Sequence, residues 1–577
     1  LSNAPNSIMQ AVEDAETVSV SPEPIDLKEA GLSQRDALLA VCDYVEVWRS
    51  EDGETHATAP VGDHVEHHAI NSRAFRDWMI GELARRYTRN GRPASATESA
   101  VRDARMGLEA RAHLTGLRKE ACVRVASLDE RLYVDVGTSD WSVIEVDRLG
   151  WRRLACAPVP ILRTRRTSAF SLPEHAGDFS GLRRLLDRLS DDDFVLFVAW
   201  CVGAFMHATP YPILILGGEQ GSGKSTLARL AQALTDPVNG DLLQPPGDDR
   251  DLIAAARNNR VLAFDNFSGI KSDLADSLCR LATGSEIGGR ALYSNHETAS
   301  FSARRPVILN GIPDLAARGD LADRSIVLRL DAPARKMTER DWARAVNTIL
   351  PSTFGAILNA VAAGLRRLDE TPTPDFRMAD FARFIAAAEP ALPWPAGSFL
   401  SAYRRNRGQA VAALADGDLV ATAVRNLIEA RGSWNGLISG LYDTLSMTIS
   451  PDARRSGDWP GNARWFSDRL RRAAPTLRAL GFGIGERRSG DGLNVNIRKI
   501  APLATPAASD GAAGRVESEA RAASDARFHL LNRGAATQPR EAEPTEREAG
   551  GGTAMPPVVP MPPARAQPGT GWTEVIR

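Results

Sequence analysis

Lysine is nearly absent from this chain. Of 70 basic residues only six are lysine, so arginine is the default cation and each lysine needs a reason why a guanidinium would not serve. Cysteine is scarce as well. Cys42, Cys122, Cys156, Cys201 and Cys279 are too far apart for a Cys-x-x-Cys redox or metal motif, and an odd, scattered set fits a reducing compartment and a cytoplasmic protein. There is no excess of positive charge: 70 basic against 72 acidic residues give a net −2, so any nucleic-acid surface has to be a local patch. Long apolar runs are missing. The most apolar stretch, residues 194–206, falls short of the roughly 18–20 residues that span a bilayer. It reads as a buried helix with Asp191, Asp192 and Asp193 at its N-terminus, and no membrane association is expected. The opening LSNAPNSIMQAVEDAE has neither the basic nor the apolar segment of a signal peptide.

What is present is an ordinary globular composition, 43% hydrophobic and 25% charged, with length for three or four domains at roughly 150 residues each. Residues 1–34 are acidic and without apolar period, and are expected to be disordered. Residues 35–155 read as an α+β domain: helical patterns at about 73–88 and 97–111, then a β-meander through 122–154 punctuated by Gly137 and Gly150. Residues 156–336 begin with helices near 180–207 and then alternate strands and helices, the mark of an α/β layer. Residues 337–412 read as a helical region. Residues 413–500 read as helices followed by a two-stranded hairpin. The tail 501–577 is rich in Ala, Pro, Gly and Glu, ends in a proline cluster at 556–563, and is expected to be disordered; polyproline docking on a partner is the alternative for that cluster.

The strongest motif is Gly218-Glu219-Gln220-Gly221-Ser222-Gly223-Lys224-Ser225, a full G-x-x-x-x-G-K-[ST] match followed by Thr226. An apolar strand (213–216) precedes it and a helical pattern follows. The glycines free the backbone to turn its N–H groups inward around phosphates, and the helix N-terminus adds partial positive charge. Lys224 is one of the six lysines; a compact ammonium fits between phosphate oxygens where a planar guanidinium does not. Ser225 is placed to ligate Mg²⁺. A second apolar strand, from Arg260, ends in Asp265, the metal-side carboxylate such a site needs. A third, from Pro306, ends in Asn310, suited to orienting water near a γ-phosphate. Arg324 follows just before a fourth strand and can be read as an arginine finger for a neighbouring subunit, or as a surface ion pair with Asp320 or Asp323.

In this order, the P-loop, the Asp265 strand, the Asn310 strand and Arg324 resemble a AAA+ ATPase. The short spacings, and the phrases YPILILGGEQGSGKST, VLAFDN and RPVILNGIPDLAARGDLADR, look most like superfamily III helicases and the primase-helicase-type ATP-binding proteins of phages and integrative elements. That resemblance implies an α/β P-loop AAA+ core, a hexameric ring with ATP and Mg²⁺ at subunit interfaces, and DNA in the pore. It implies Lys224 and Ser225 on phosphate and metal, Asp265 on metal, Asn310 as sensor and Arg324 as a finger in trans. One departure stands out. Such enzymes usually carry two acids at the end of the second strand; here Asp265 is followed by Asn266, and an amide cannot accept a proton from water. Asp265 acting alone, help from Glu219, and slow hydrolysis all stay open.

Two DNA-facing regions are expected. The segment 290–302 reads as a hairpin, which the resemblance would point into the pore, bringing Asn295 and His296 to the DNA with Arg290 nearby; a plain surface turn is the alternative. Residues 451–500 carry eleven basic against five acidic residues, a net +6. Its helix, about 463–480, holds Arg464, Arg469, Arg471, Arg472 and Arg478, and Arg487 and Arg488 sit at a hairpin tip. Helices and a hairpin wing look like a winged helix-turn-helix module, binding phosphate through arginine; a basic protein-binding winged helix is the alternative. Two weaker clusters are Asp63-His64-Val65-Glu66-His67-His68, where a metal is less expected than a polar strand, and Asp135, a lone carboxylate where polymerase chemistry needs two.

The sequence therefore points first to a Mg²⁺- and ATP-dependent DNA helicase-like motor of a mobile element. A DNA-binding regulatory or defence ATPase without unwinding, or a nucleotide-gated scaffold with little hydrolysis, are the alternatives.

Overall fold

The computed structural model describes residues 23–500 apart from 291–297, 302, 312–318, 333–336, 456, 458 and 491. The tail and its proline cluster, and the hairpin tip with Asn295 and His296, lie outside the described residues.

The N-terminal part closes its own core. A four-stranded sheet runs His64–Ala69, Thr55–Val61, Glu46–Arg49, Leu117–Arg118. Helices Gln34–Ala40, Arg73–Arg86 and Glu98–Thr115 bury Leu38, Phe75, Met79 and Leu108 with Val47 and Ala57 of the sheet. Ser72 and Thr97 accept N–H bonds from Phe75 and Ala100, which start the two longer helices at those residues. Order begins earlier than the expected boundary at 34. Ile25–Asp26 pairs in parallel with Tyr87 and Thr88, and Leu27 is buried. The strand pairing and one buried apolar side chain, Leu27, dock it, while Ile25 stays half exposed.

The meander forms as expected, with antiparallel order Trp151–Leu154, Val143–Val146, Arg131–Asp135, Val125–Leu128. Its inner face (Leu132, Val134, Ile144, Val146) shares a core with the helix Asp191–Gly203 and with Phe354, so a division at 155 runs through packed side chains. Asp135 is buried and held by both oxygens to Arg163, at 2.6 and 2.9 Å. It is a structural ion pair, which removes it as a metal-binding carboxylate.

The central sheet has four parallel strands: β1 (Ile213–Gly218), β2 (Leu262–Phe267), β3 (Val307–Gly311) and β4 (Ser325–Leu330), in spatial order β2-β3-β1-β4. Side chains alternate between two cores. Leu214 and Leu216 face the meander side; Ile213 and Ile215 face the side holding Leu252 and Leu278. Burial on both faces is why β1 reads as a continuous apolar run. Helix α1 (Lys224–Thr235) follows β1.

A buried carboxylate holds this arrangement together. Asp236 caps the C-terminal end of α1. It accepts a hydrogen bond from Arg124 of the meander at 2.8 Å, and from the backbone N–H groups of Arg260 and Val261, which lead into β2, at 2.9 and 3.0 Å. On the other edge of the sheet, β4 is sealed by the helix Ser398–Gly417, whose Asn406 side chain bonds both the N–H and the C=O of Val327.

The helix Glu339–Arg367 packs Phe354, Ile357 and Val361 into the same core as the meander. With the short turn that follows, Glu339–Glu370 is long and apolar enough to cross a membrane by length and composition; more than half of its apolar window is buried inside the protein. The C-terminal part contains one strand more than the expected helices and hairpin. Ser433–Leu437 lies between helices Leu419–Arg431 and Ile438–Ser446 and pairs with Gly492–Lys499, which pairs with Phe482–Ser489. Its five residues, Ser-Trp-Asn-Gly-Leu, are too short and too mixed to show alternation.

Replacing Asp236 with Ala would take from the buried Arg124 guanidinium its closest carboxylate, leaving Asp135 at 3.9 Å, and would leave the Arg260 and Val261 N–H groups without their acceptor. The expected loss is about 3–5 kcal/mol of unfolding free energy, read from denaturant titration; a loss below about 1 kcal/mol would contradict the role given to this pair.

Candidate functional site at the carboxyl ends of the parallel strands

In an open parallel sheet, ligands bind beyond the carboxyl ends of the strands. Three of the predicted residues meet there. β1 ends in the glycine loop, β2 in Asp265 and β3 in Asn310. The Ser225 hydroxyl donates to Asp265 Oδ1 at 3.0 Å, and the Asn310 amide donates to Ser225 Oγ at 2.9 Å and also to Asp265 Oδ1. Asn310 is 2% exposed, so its amide has a fixed orientation. One carboxylate oxygen thus gathers a hydroxyl, an amide and the Asn266 N–H.

The loop conformation depends on glycine. Gly218, Gly221 and Gly223 have φ of 146°, 80° and 85°, which side chains rarely adopt. Lys224 opens α1 and folds its ammonium back over the loop, donating to the carbonyls of Gly218 and Glu219 at 2.9 and 2.8 Å. Glu219, Gln220 and Gly221 are exposed, Ser222 is buried, and Gly223, Lys224, Ser225 and Thr226 are half-buried. The loop is therefore open on one side and packed on the other. The residues fit a Mg²⁺–triphosphate: a loop of glycine N–H groups, a lysine tethered only to exposed-loop carbonyls, and a hydroxyl and carboxylate oxygen already 3.0 Å apart.

Sequence reasoning missed Arg188. Its guanidinium donates to the Ser222 carbonyl at 2.6 Å, and a Cβ on Gly223 would come within 2.7 Å of it. Burial lowers its pKa. It precedes the loop by more than thirty residues, in a segment with no motif of its own.

Arg324 does not join the cluster. Its carbonyl accepts from Ile213 N–H, at the start of β1, while the loop lies at the other end of that strand. Within the chain it pairs with Asp320, the bland outcome weighed from sequence. Asn266 sits at φ 62°, where the pairing of β2 with β3 loses register between Phe264 and Phe267. Its side chain is exposed.

The hairpin expected at 290–302 is present as paired strands Ile287–Arg290 and Thr298–Phe301. In the C-terminal part, Arg472, Arg487 and Arg488 are exposed and Arg469 is half-buried. Arg471 is bound to Asp468 and Glu486. Trp465, 63% exposed, lies on the same helix, Ala463–Ala479. In the histidine-rich strand, His64 and His68 both engage Glu66, and His67 is buried against Thr58, where burial holds its pKa down at about 3. These contacts are those of a polar strand.

Residues 181–409 match the family of the actinomycete integrative conjugative element replication protein, and residues 420–511 match the C-terminal domain of the same replication protein. The family is that of a mobile-element replication protein. No curated protein matches the chain. Among solved structures, an apo form of the NrS-1 C-terminal region is 10% identical, with 81% of this chain and 99% of that one covered and a TM-score of 0.31. JCV helicase, bound to a small molecule, is 17% identical, with 36% of this chain and 58% of that one covered and a TM-score of 0.19. The family match begins within the helix Ser180–Leu185 and leaves the N-terminal sheet and the meander outside it.

Substituting Gly223 with Ala forces a side chain into left-handed backbone and against Arg188. We expect a loss of roughly 1–3 kcal/mol. The double variant with Arg188→Ala should lose less than the sum of the two single variants, measured as a double-mutant cycle in denaturant; strict additivity would mean the two residues do not touch.

Proposed function

We propose that this replication-family chain is a Mg²⁺- and ATP-dependent, helicase-like motor on DNA. The observation that carries the reading is the Ser225–Asp265–Asn310 cluster at the mouth of the glycine loop. Lys224 would hold the β- and γ-phosphates. Ser225 and Asp265 would share the metal, which when bound neutralises charge across the phosphates. Asn310, fixed by burial, would orient the attacking water. Asn266 offers no acceptor for that water's proton, which leaves Asp265 as the carboxylate at this strand end.

Arg324 is assigned as a finger acting on a neighbouring subunit. Its distance from its own loop supports action in trans and argues against action in cis. A ring, hexameric by resemblance, would bring it to the next site. DNA contacts are assigned to Arg469, Arg472, Arg487 and Arg488 in a winged-helix-like C-terminal part, with Trp465 available to stack on a base.

A second reading, nucleotide-controlled assembly with little hydrolysis, is favoured by one observation: the exposed amide at Asn266. Measuring ATP turnover and strand separation with single- and double-stranded DNA separates the two. DNA-stimulated turnover with unwinding supports the motor. ATP binding without turnover supports assembly.

Lys224→Ala should abolish ATP binding or turnover; a fully active variant would refute the site. Arg324→Ala should retain ATP binding but lose about 10³-fold or more in turnover, and wild-type subunits mixed in should restore it only partly. Normal hydrolysis by Arg324→Ala would reduce that residue to its pair with Asp320.

A further inference from the structure

A cleft of about 1230 Å³ opens between the N-terminal part and the central sheet, away from the glycine loop. On its wall, three side chains from distant parts of the sequence converge. Cys122 comes from a short strand, Cys122–Val123, paired with Ile161–Leu162; Glu120 lies two residues before it; His207 lies in the turn that leads to β1. Cys122 Sγ is 3.7 Å from His207 Nε2, and His207 Nε2 is 3.3 Å from Glu120 Oε1. One ligand atom from each of the three lies within 4.8 Å of the others.

These separations have a chemical meaning. Bond lengths of about 2.3 Å to sulfur and about 2.0–2.2 Å to imidazole nitrogen or carboxylate oxygen, at tetrahedral angles, give ligand–ligand edges of about 3.3–3.6 Å. Two of the three edges, 3.7 Å from Cys122 to His207 and 3.3 Å from His207 to Glu120, fall close to that range. The set is also mixed in the way such ions prefer: one thiolate, one imidazole, one carboxylate. Cys122 and His207 are largely buried, while Glu120 is exposed on the cleft side, which leaves an entry path and a fourth position for water.

The hydrogen bond on the far side of the imidazole fits as well. His207 Nδ1 lies 3.0 Å from Ser127 Oγ. A proton held on Nδ1 by that hydroxyl leaves the Nε2 lone pair facing Cys122 and Glu120, the usual way a ligating histidine is oriented. The turn that carries His207 is pinned independently. Arg260 donates to the Ala204 carbonyl at 3.0 Å and also to that of Met206, Tyr211 donates to the Met206 carbonyl too, and Arg304 donates to that of Ala208. His207 is thus held in place without needing a metal to order it.

We propose that Glu120, Cys122 and His207 bind a divalent transition-metal ion of the zinc class, which ties the segment after the N-terminal sheet to the turn feeding β1. The site uses none of the residues of the glycine loop, so it stands or falls separately from the nucleotide reading.

The test is titration of the full chain, stripped with chelator, with Co²⁺ and then Zn²⁺. The wild type should take up one Co²⁺ per chain, with a thiolate-to-cobalt charge-transfer band and tetrahedral visible bands that Zn²⁺ bleaches, and Zn²⁺ should raise the melting temperature. Cys122→Ser should lose the charge-transfer band, Cys156→Ser should keep it, and His207→Gln should weaken binding by about tenfold or more. A wild type with no charge-transfer band, or a band that survives Cys122→Ser, overturns the proposal and leaves the three residues as a hydrogen-bonded cluster. Should Cys122→Ser fail to fold, the wild-type spectrum and His207→Gln decide by themselves.

Discussion

The Asp236 carboxylate is the fixed point of this structure. It closes one end of α1 and one end of the approach to β2, while the Ser225–Asp265 hydrogen bond closes the other ends of the same two elements. A helix and a strand tied at both termini cannot slide past one another. Lys224 and Asp265 come from motifs some forty residues apart, yet their relative position is set by two short hydrogen-bonded links and the sheet between them. Because Asp236 is buried with Arg124, the meander is drawn into the same lock. Removing Asp236 would leave the buried Arg124 with Asp135 at 3.9 Å as its nearest carboxylate, a costlier change than losing an exposed pair.

Legibility from sequence followed how local each signal is. The glycine loop, the three strands around it and the meander could be read because each is a contiguous run whose pattern reflects its own burial. Arg188 and Asp236 could not. Each acts on a segment more than twenty residues away, through a carbonyl or a backbone N–H that leaves no trace in composition. The cluster of Glu120, Cys122 and His207 has the same character: His207 stands eighty-five residues from Cys122, whereas the histidines that stand out locally, His64, His67 and His68, are turned toward Glu66 and Thr58. The early start of order at Ile25 and the strand at Ser433–Leu437 were missed because so few residues carry them.

Asn266 shows how backbone and chemistry meet at one position. β2 breaks register there, and Asn is among the few side chains that tolerate a positive φ. An acid in its place would also have to accept that backbone, next to the Asp265 carboxylate. The irregularity turns the Asn266 N–H onto Asp265 Oδ1, adding a donor to a carboxylate that already accepts two. Three donors on one oxygen fix the orientation of that carboxylate.

The place of Arg324 constrains assembly more than it constrains the single chain. β4 runs six residues from Ser325 to Leu330, alongside β1 from Ile213 to Gly218. Arg324 lies one residue before Ser325, so at about 3.3 Å per residue over six steps the arginine and the loop lie roughly 20 Å apart, too far for any rotamer to bridge. If Arg324 serves a nucleotide at all, that nucleotide belongs to another copy, and the surface carrying Asp320 and Arg324 must face the loop surface of its neighbour. Two different faces meeting head to tail is a heterologous contact, which either closes into a ring or continues as a filament. A two-fold dimer would pair each face with itself and leave both arginines idle. The functional reading of one arginine is therefore also a statement about symmetry.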